Sequence, residues 1–185
     1  IGFFLNENSA GGGEVDFINH TWKNLQLFNF NGLFEALKLT NTSDSTIFQS
    51  SRIPGFYVFN KVFNPFLNNP EYYKASIFIS SLLVPIFLYK CLVIKCKNIN
   101  KVFLVFLSSL ILLSPYFRTS AIWGNEENFA YIASLISYFF LLKYQNSEEK
   151  LKITFLIMLI ISSSMCVYFD QKFAIIPGLC FFIIF

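Results

Sequence analysis

The chain has 185 residues, of which 55% are hydrophobic, 19% aromatic and only 14% charged. Soluble domains carry about 25% charged residues, so this composition excludes an ordinary soluble domain and predicts an all-α, polytopic membrane protein. The net charge of +3 says little by itself, and no nucleic-acid partner is expected.

Both ends of the chain, 1–5 and 180–185, resemble interrupted hydrophobic helices, and the sequence has no initiator methionine. We therefore expect the N-terminal fragment of a longer protein. The expected fold is a single transmembrane domain over 1–185, with about four complete spans between a clipped first span and a clipped last span.

Residues 6–74 contain no apolar run long enough to cross a bilayer. They are predicted to form an extracytoplasmic loop that carries short interfacial helices. Apolar side chains at helical spacing predict the first of these helices over 16–28. A further short amphipathic turn is expected at 33–39, and Pro54 is the expected first residue of an interfacial or re-entrant helix.

Residues 75–185 are predicted to form transmembrane hairpins. The first complete span is expected at 75–95, with a kink at Pro85. Later spans are expected at the following positions: 102–117, 129–142, 153–168 and from 173 onward.

The lysines of the short loops predict the orientation of these spans. They cluster at 90–101 and 143–152, which we expect to face the cytoplasm. Of the 11 acidic residues, only Glu148 and Glu149 then lie on that side. The predicted location is the bacterial inner membrane or the endoplasmic reticulum, with the polar loops on the non-cytoplasmic side, where three of them can converge on one pocket.

Two acids and the only histidine follow the glycines 11–13. Glu14 and Asp16 share a face in an extended chain but diverge in a helix. Either one can serve as a general base at a membrane surface, and the two together can hold a divalent cation. The alternative is structural, with Asp16 capping the following helix and His20 only packing or hydrogen-bonding.

A second polar group surrounds the end of the 102–117 span. Arg118 and Trp123 are followed by Glu126 and Glu127, which open the next predicted helix. The structural alternative is a snorkelling arginine and carboxylates that stabilise a helix N-terminus. Asp170 and Lys172 lie between two later spans and either satisfy each other or bind a lipid phosphate.

These motifs resemble the GT-C superfamily of polytopic glycosyltransferases that use polyprenyl-phosphate sugars. The resemblance rests on the acidic segment 14–20, the proline segment 52–57 and the polar segment 170–173. It is greatest to the dolichyl-phosphate-glucose α-1,2-glucosyltransferase branch and its bacterial mannosyltransferase-like relatives. Two positions differ from that branch. Asp170 replaces its usual arginine, and Ile53 replaces the first proline of its Pro-Pro pair.

The resemblance implies an inverting transfer from a polyprenyl-phosphate sugar to a hydroxyl of a glycan, lipid or protein. It implies Asp16 as the general base, with Glu14 as its competitor. No metal ligand set is assigned and no cofactor is required, although a divalent cation can sit at Glu14 and Asp16. The candidate substrate-binding residues are His20, Arg52, Arg118, Trp123, Glu126, Glu127, Gln171 and Lys172.

Two other classes of protein remain open. A transporter or flippase for lipid-linked sugars, or a polymerase subunit that handles them, would also contact membrane lipid, but transporters usually place polar groups near the bilayer midplane. A structural subunit with an outer binding loop would fit 6–74 but not the converging acids and cations. We favour the enzyme because the polar groups concentrate in the outer loops.

Overall fold

The computed structural model describes residues 13–40 and 54–184, and this part of the chain contains helices and no strand. It therefore confirms the all-α prediction for these residues. The helices, in chain order, are α1 (Gly13–Asp16), a π-helical turn (Phe17–Trp22), α2 (Lys23–Phe30), α3 (Leu33–Thr40), α4 (Gly55–Phe63), α5 (Pro70–Ser81), α6 (Leu83–Lys95), α7 (Lys101–Ser109), a 3₁₀ turn (Leu110–Leu113), α8 (Pro115–Trp123), α9 (Glu127–Asn146), α10 (Glu149–Phe169), a 3₁₀ turn (Gln171–Ala174) and α11 (Ile175–Ile184).

The first helical segment runs without interruption from α1 through the π-helical turn into α2. It includes the helix predicted over 16–28 and extends beyond both of its predicted ends. Asp16 has helical backbone angles, φ −61° and ψ −41°, and its side chain accepts no capping hydrogen bond. The structural alternative for Asp16, an N-cap, is therefore wrong, since the helix has already begun at Gly13.

Side-chain hydrogen bonds join α2 to α4 and to the loop that follows α4. Asn24 Nδ2 donates to the Tyr57 hydroxyl over 3.3 Å, and Gln26 Nε2 donates to the Leu67 carbonyl over 2.9 Å. Lys61 Nζ donates to the Asn29 carbonyl over 2.8 Å. These bonds attach the polar N-terminal helices to the apolar helices that follow.

The helices that could cross a membrane are fewer than predicted. Among the described residues, two are long and apolar enough, Pro70–Lys95 and Glu149–Phe169. A third exists only if Lys101–Leu113 and Pro115–Trp123, which are bent by 68°, form one broken span. The structure thus supports two or three membrane-crossing helices, and the expected clipped span at 1–5 lies outside the described residues.

Two other predicted spans, at 129–142 and from 173 onward, are not among these helices. α9 is 20 residues long, but it begins at Glu127 and Asn128 and carries serines further along. It packs mainly against α10 and α6, and its polar residues Glu127, Asn128 and Ser137 are buried in the protein. Gln171–Ile184 is apolar and has fewer than 18 residues, and it corresponds to the last span, which was predicted as incomplete.

The helical hydrogen bonding of the first span is interrupted at a single residue, three positions before Pro85. Leu82 separates α5 from α6, and Pro85 lies inside α6. A proline ring clashes with the carbonyl four residues earlier, which here belongs to Ser81. The structure thus shows an interruption of the helix at Leu82, and the kink predicted at Pro85 stays a prediction.

Pro115 ends the second apolar segment earlier than predicted. Ser114 leaves the helical region with φ −62° and ψ 122°, as a residue before proline usually does. Its side chain then caps α8 by accepting a hydrogen bond from the Phe117 amide. The span expected at 102–117 therefore stops at Leu113, and α8 takes a new direction.

An aromatic core holds α4 against α9 and α10. Phe59 packs edge-on against both Phe129 and Phe169, with ring centroids 5.5 Å from each. Gly55 permits this approach, because a Cβ there would lie 2.6 Å from the Tyr168 carbonyl oxygen. We use the term upper end for the end of the bundle that carries this contact, namely residues 13–30, 54–74, 115–128 and 170–172.

Candidate functional site

α8 is the centre of the polar cluster at the upper end. α1 packs across it at Gly13, where a Cβ atom would lie 2.5 Å from Thr119 Cγ2 and 2.7 Å from Trp123 Cδ1. Only glycine allows the two helices to approach this closely. The first turn of α1, with its two acids, is therefore held directly beside Trp123.

The two candidate bases lie on opposite flanks of this contact. Gly13 and Phe17 are buried and form the inner face of the first turn. Successive residues of a helix are about 100° apart, so Glu14 and Asp16 project to either side of that face. Both side chains are half-buried.

A divalent cation held jointly by Glu14 and Asp16 stays a prediction, and their divergence on the helix argues against it. Within the described ranges, no group of three or more histidine, cysteine or acidic side chains is placed to hold a metal ion.

A buried hydrogen bond fixes the π-helical turn to the loop after α8. Thr21 Oγ1 donates to Asn125 Oδ1 over 3.1 Å, and both residues are buried. π-helical turns are rare and occur often at functional sites. His20 is half-buried in this turn, next to Thr21 in the chain.

The loop between α8 and α9 is held by a tyrosine that the sequence did not single out. Tyr73 is fully buried and donates a hydrogen bond of 2.9 Å from its hydroxyl to the Gly124 carbonyl. Gly124 has φ 72°, the left-handed conformation that favours glycine at the end of a helix. This bond links the start of α5 to the end of α8.

The two glutamates that follow are buried rather than displayed on the surface. Glu126 is 1% exposed and Glu127 is 7% exposed. Ser120 Oγ donates a hydrogen bond of 3.0 Å to Glu127 Oε2. Their position at the start of α9 fits the predicted dipole role, but that role does not require burial, and burying a carboxylate is costly unless it is well bonded.

The predicted segment 170–172 reaches the same cluster. Lys172 Nζ lies 4.0 Å from Glu127 Oε1 and 3.9 Å from Asp170 Oδ2. Partial burial lowers the pKa of Lys172, while the charge of Asp170, followed by Tyr116 and Glu127, raises it, so that the pKa lies above its ordinary value. Lys172 thus lies between two carboxylates. Their negative charges would repel a phosphate, which argues against Lys172 as a phosphate ligand.

The other predicted binding residues have mixed positions. Arg118 is half-buried on α8, and Trp123 is half-buried at the end of that helix. Gln171 is exposed in the 3₁₀ turn. Arg52 lies outside the residues that the structure describes.

A cleft of about 350 Å³ between α5 and α8 contains charged residues that the sequence reasoning missed. Lys74 lies over two aromatic rings in this region, 5.1 Å from the Trp123 centroid and 5.4 Å from that of Phe17. It also pairs with Glu71 at 2.7 Å. The sequence did contain a signal for this residue. Lys74 lies beside the predicted outer end of a span, where basic residues are less common.

The three predicted outer segments therefore meet around α8. They bring carboxylates, cations and an indole to one end of an apolar bundle, a set that can accept a proton, hold an anion and stack on a ring. Comparison of the chain with protein-family models, with curated proteins and with solved structures found no match.

Proposed function

We propose that the protein is a membrane-embedded glycosyltransferase that moves a sugar from a polyprenyl-phosphate donor to a hydroxyl acceptor with inversion at the anomeric carbon. The observation that supports it is the packing of Gly13 on Thr119 and Trp123. Trp123 also lines the cleft that contains Lys74, so the helical turn with Glu14 and Asp16 packs against a residue of that cleft. The GT-C type of enzyme is the proposed class.

The reaction would use the carboxylates of α1 as the proton acceptor. One of them, Asp16 by preference, takes the proton of the acceptor hydroxyl as its oxygen bonds to the anomeric carbon. The bond from that carbon to the phosphate oxygen breaks on the opposite side, and the lipid phosphate leaves with the electron pair. A cation at the leaving phosphate stabilises the developing charge.

The positions of the buried acids favour an enzyme over a transporter. Glu126 and Glu127 lie at the start of α9, and Asp170 follows the end of α10. Transporters usually hold their polar substrates near the bilayer midplane, on helices broken at that depth. Here the buried acids named above lie at helix ends, where a headgroup at the membrane surface would be.

A reconstituted assay separates the two classes. The protein in lipid nanodiscs, supplied with radiolabelled polyprenyl-phosphate sugars and a crude acceptor extract, is expected to release free polyprenyl phosphate and form an inverted glycoside. In liposomes, movement of the intact donor between leaflets without cleavage would identify a flippase and reject the enzyme.

We expect Arg118→Gln to raise the KM for the donor about tenfold, with a smaller change in kcat. Arg118 precedes the cleft residue Ile122 by one helical turn, so the two lie on the same side of α8. Removing a charge-assisted hydrogen bond to phosphate weakens donor binding. Lys97→Gln, in the loop at the other end of the bundle, is the control. An unchanged KM in Arg118→Gln would show that Arg118 has only a structural role.

The proposed orientation makes a separate prediction. In a protein whose cysteines 91, 96, 166 and 180 are replaced, a cysteine at the exposed position Asn68 should react with an impermeant maleimide in intact cells. A cysteine at the exposed position Asn98 should react only after permeabilisation. Labelling of position 98 in intact cells would reverse the orientation and place the cleft on the cytoplasmic side.

A further inference from the structure

We infer that the cleft between α5 and α8 binds a lipid phosphate monoester, with the phosphate at Lys74 and the chain along Phe78, Ile79 and Ile122. The inference rests on the proposed function, for which it locates the donor. It assigns the phosphate contact to Lys74 rather than to Lys172. The distinction matters because Lys172 already has two carboxylate neighbours.

The position of the cleft suits an amphiphile. Lys74 lies in the second turn of α5, at the beginning of the membrane-crossing segment Pro70–Lys95. Phe78 and Ile79 follow one turn further along the same helix and are 46% and 66% exposed. A charged group thus lies at one end of the cleft, and exposed apolar side chains line the part that is further along α5.

The bend between α7 and α8 provides the second wall. α8 turns away from Lys101–Leu113 by 68°, which brings Ile122 and Trp123 across the cleft from α5. The volume of this open cleft, about 350 Å³, is within the range of small-molecule sites. It is sufficient for a headgroup and the first part of a chain, and the remainder can extend into the bilayer.

The charge of Lys74 favours an anion as the ligand. The Lys74 side chain is only 18% exposed, and its ammonium is held over the Trp123 and Phe17 rings. Its partner Glu71 is 75% exposed, and such surface ion pairs contribute little to stability. The Glu71 carboxylate can therefore turn into solvent and leave Lys74 to a phosphate, which accepts stronger charge-assisted hydrogen bonds.

The apolar part of the cleft selects a lipid rather than free phosphate. Inorganic phosphate would contact Lys74 alone and leave Phe78, Ile79 and Ile122 without a partner. An attached hydrocarbon chain covers these side chains, and removing its methylene groups from water is favourable. The two sources of phosphate should therefore differ widely in affinity.

Quenching of Trp123 fluorescence tests the inference. The chain has two tryptophans, so Trp22→Phe leaves Trp123 as the reporter, and Trp22→Tyr is the substitute if that variant does not fold. The protein in phosphatidylcholine nanodiscs is titrated with chain-brominated dodecyl phosphate and, separately, with chain-brominated dodecanol. We expect saturable quenching by the phosphate at concentrations at least tenfold lower than by the alcohol, and no competition from equimolar inorganic phosphate.

Lys74→Gln should weaken binding of the phosphate about tenfold and leave that of the alcohol unchanged. Lys152→Gln is the matched control, because Lys152 pairs with Glu149 at 2.6 Å in the same i,i+3 geometry but does not line this cleft. Glu71→Gln should tighten binding of the phosphate, since it removes a competing carboxylate.

Equal quenching by the phosphate and the alcohol, or equal losses in Lys74→Gln and Lys152→Gln, would overturn the inference. Failure of the proposed function gives a different result. Lys74-dependent binding without transfer from any polyprenyl-phosphate sugar would support the lipid phosphate site and reject the glycosyltransferase. Transfer that is unaffected by Lys74→Gln would reject the site and retain the enzyme.

Discussion

Asp16→Asn is expected to lower the rate of sugar transfer about 10²–10⁴-fold, which is the usual contribution of a general base. Asparagine keeps the shape of the side chain but cannot take the proton of the acceptor hydroxyl. The amount of inserted protein should not change, because Asp16 is half-buried and makes no capping hydrogen bond that the substitution would remove. Initial rates of transfer in membranes, with equal amounts of each variant, measure the effect.

Glu14→Gln decides between the two carboxylates. Because Glu14 and Asp16 lie on opposite flanks of the inner face of α1, only one of them can face an acceptor in the cleft. We therefore expect one variant to lose most of the activity and the other to lose little. Glu35→Gln, at an exposed position of α3, is the control for loss of a negative charge in the N-terminal segment.

Two outcomes would contradict this assignment. Full activity in Asp16→Asn, in Glu14→Gln and in the double variant would show that α1 holds no catalytic carboxylate. A loss that is matched by a lower amount of inserted protein would show a structural role instead. Rates normalised to the quantity of folded protein distinguish the two.

The sequence predicts the helices whose cause is local. The periodicity over 16–28 and the apolar run at 75–95 are properties of consecutive residues, and both helices are present in the structure. The sequence does not predict the exact helix ends where a proline nearby in the chain determines them. The helix is interrupted at Leu82, before Pro85, and the preceding helix ends at Leu113, before Pro115, because a proline acts on the residues before it.

The number of spans was overestimated because sequence alone does not show what surrounds a helix. α9 has apolar residues at many positions, but much of that surface packs against α10 and α6 rather than lipid. A helix inside a bundle can carry serines, asparagines and acids that a lipid-facing helix cannot. Periodicity does not separate these two cases.

The site was predictable only in part, for a related reason. The sequence indicated that segments near 14, 118 and 170 carry unusual charges for a membrane protein, and the structure brings them together around α8. It did not indicate Tyr73 or Lys74, whose importance depends on contacts with Gly124 and Trp123 about 50 residues away. Nor did it indicate the glycine contact that positions α1.

Gly13→Val should lower the transfer rate about 100-fold while the protein still folds. Even a Cβ would lie 2.5 Å from Thr119 Cγ2 and 2.7 Å from Trp123 Cδ1, so valine must move the first turn of α1 away from α8. A displacement of about 1 Å can cost 10²-fold in rate when it misplaces a reacting group. Folding should persist because Thr21, Leu25 and Phe28 remain buried further along the same helix.

Gly32→Val is the matched control, because a Cβ at Gly32 meets no atom within 4 Å and the residue lies in the same N-terminal segment. It should retain activity, and the initial transfer rates of the two variants make the comparison. Thr119→Ser removes the methyl group nearest to Gly13, so it should restore part of the activity lost in the milder variant Gly13→Ala. Near-normal activity in Gly13→Val would show that the contact between α1 and α8 does not position the catalytic carboxylate, and the base would then have to be sought among the buried acids at the start of α9.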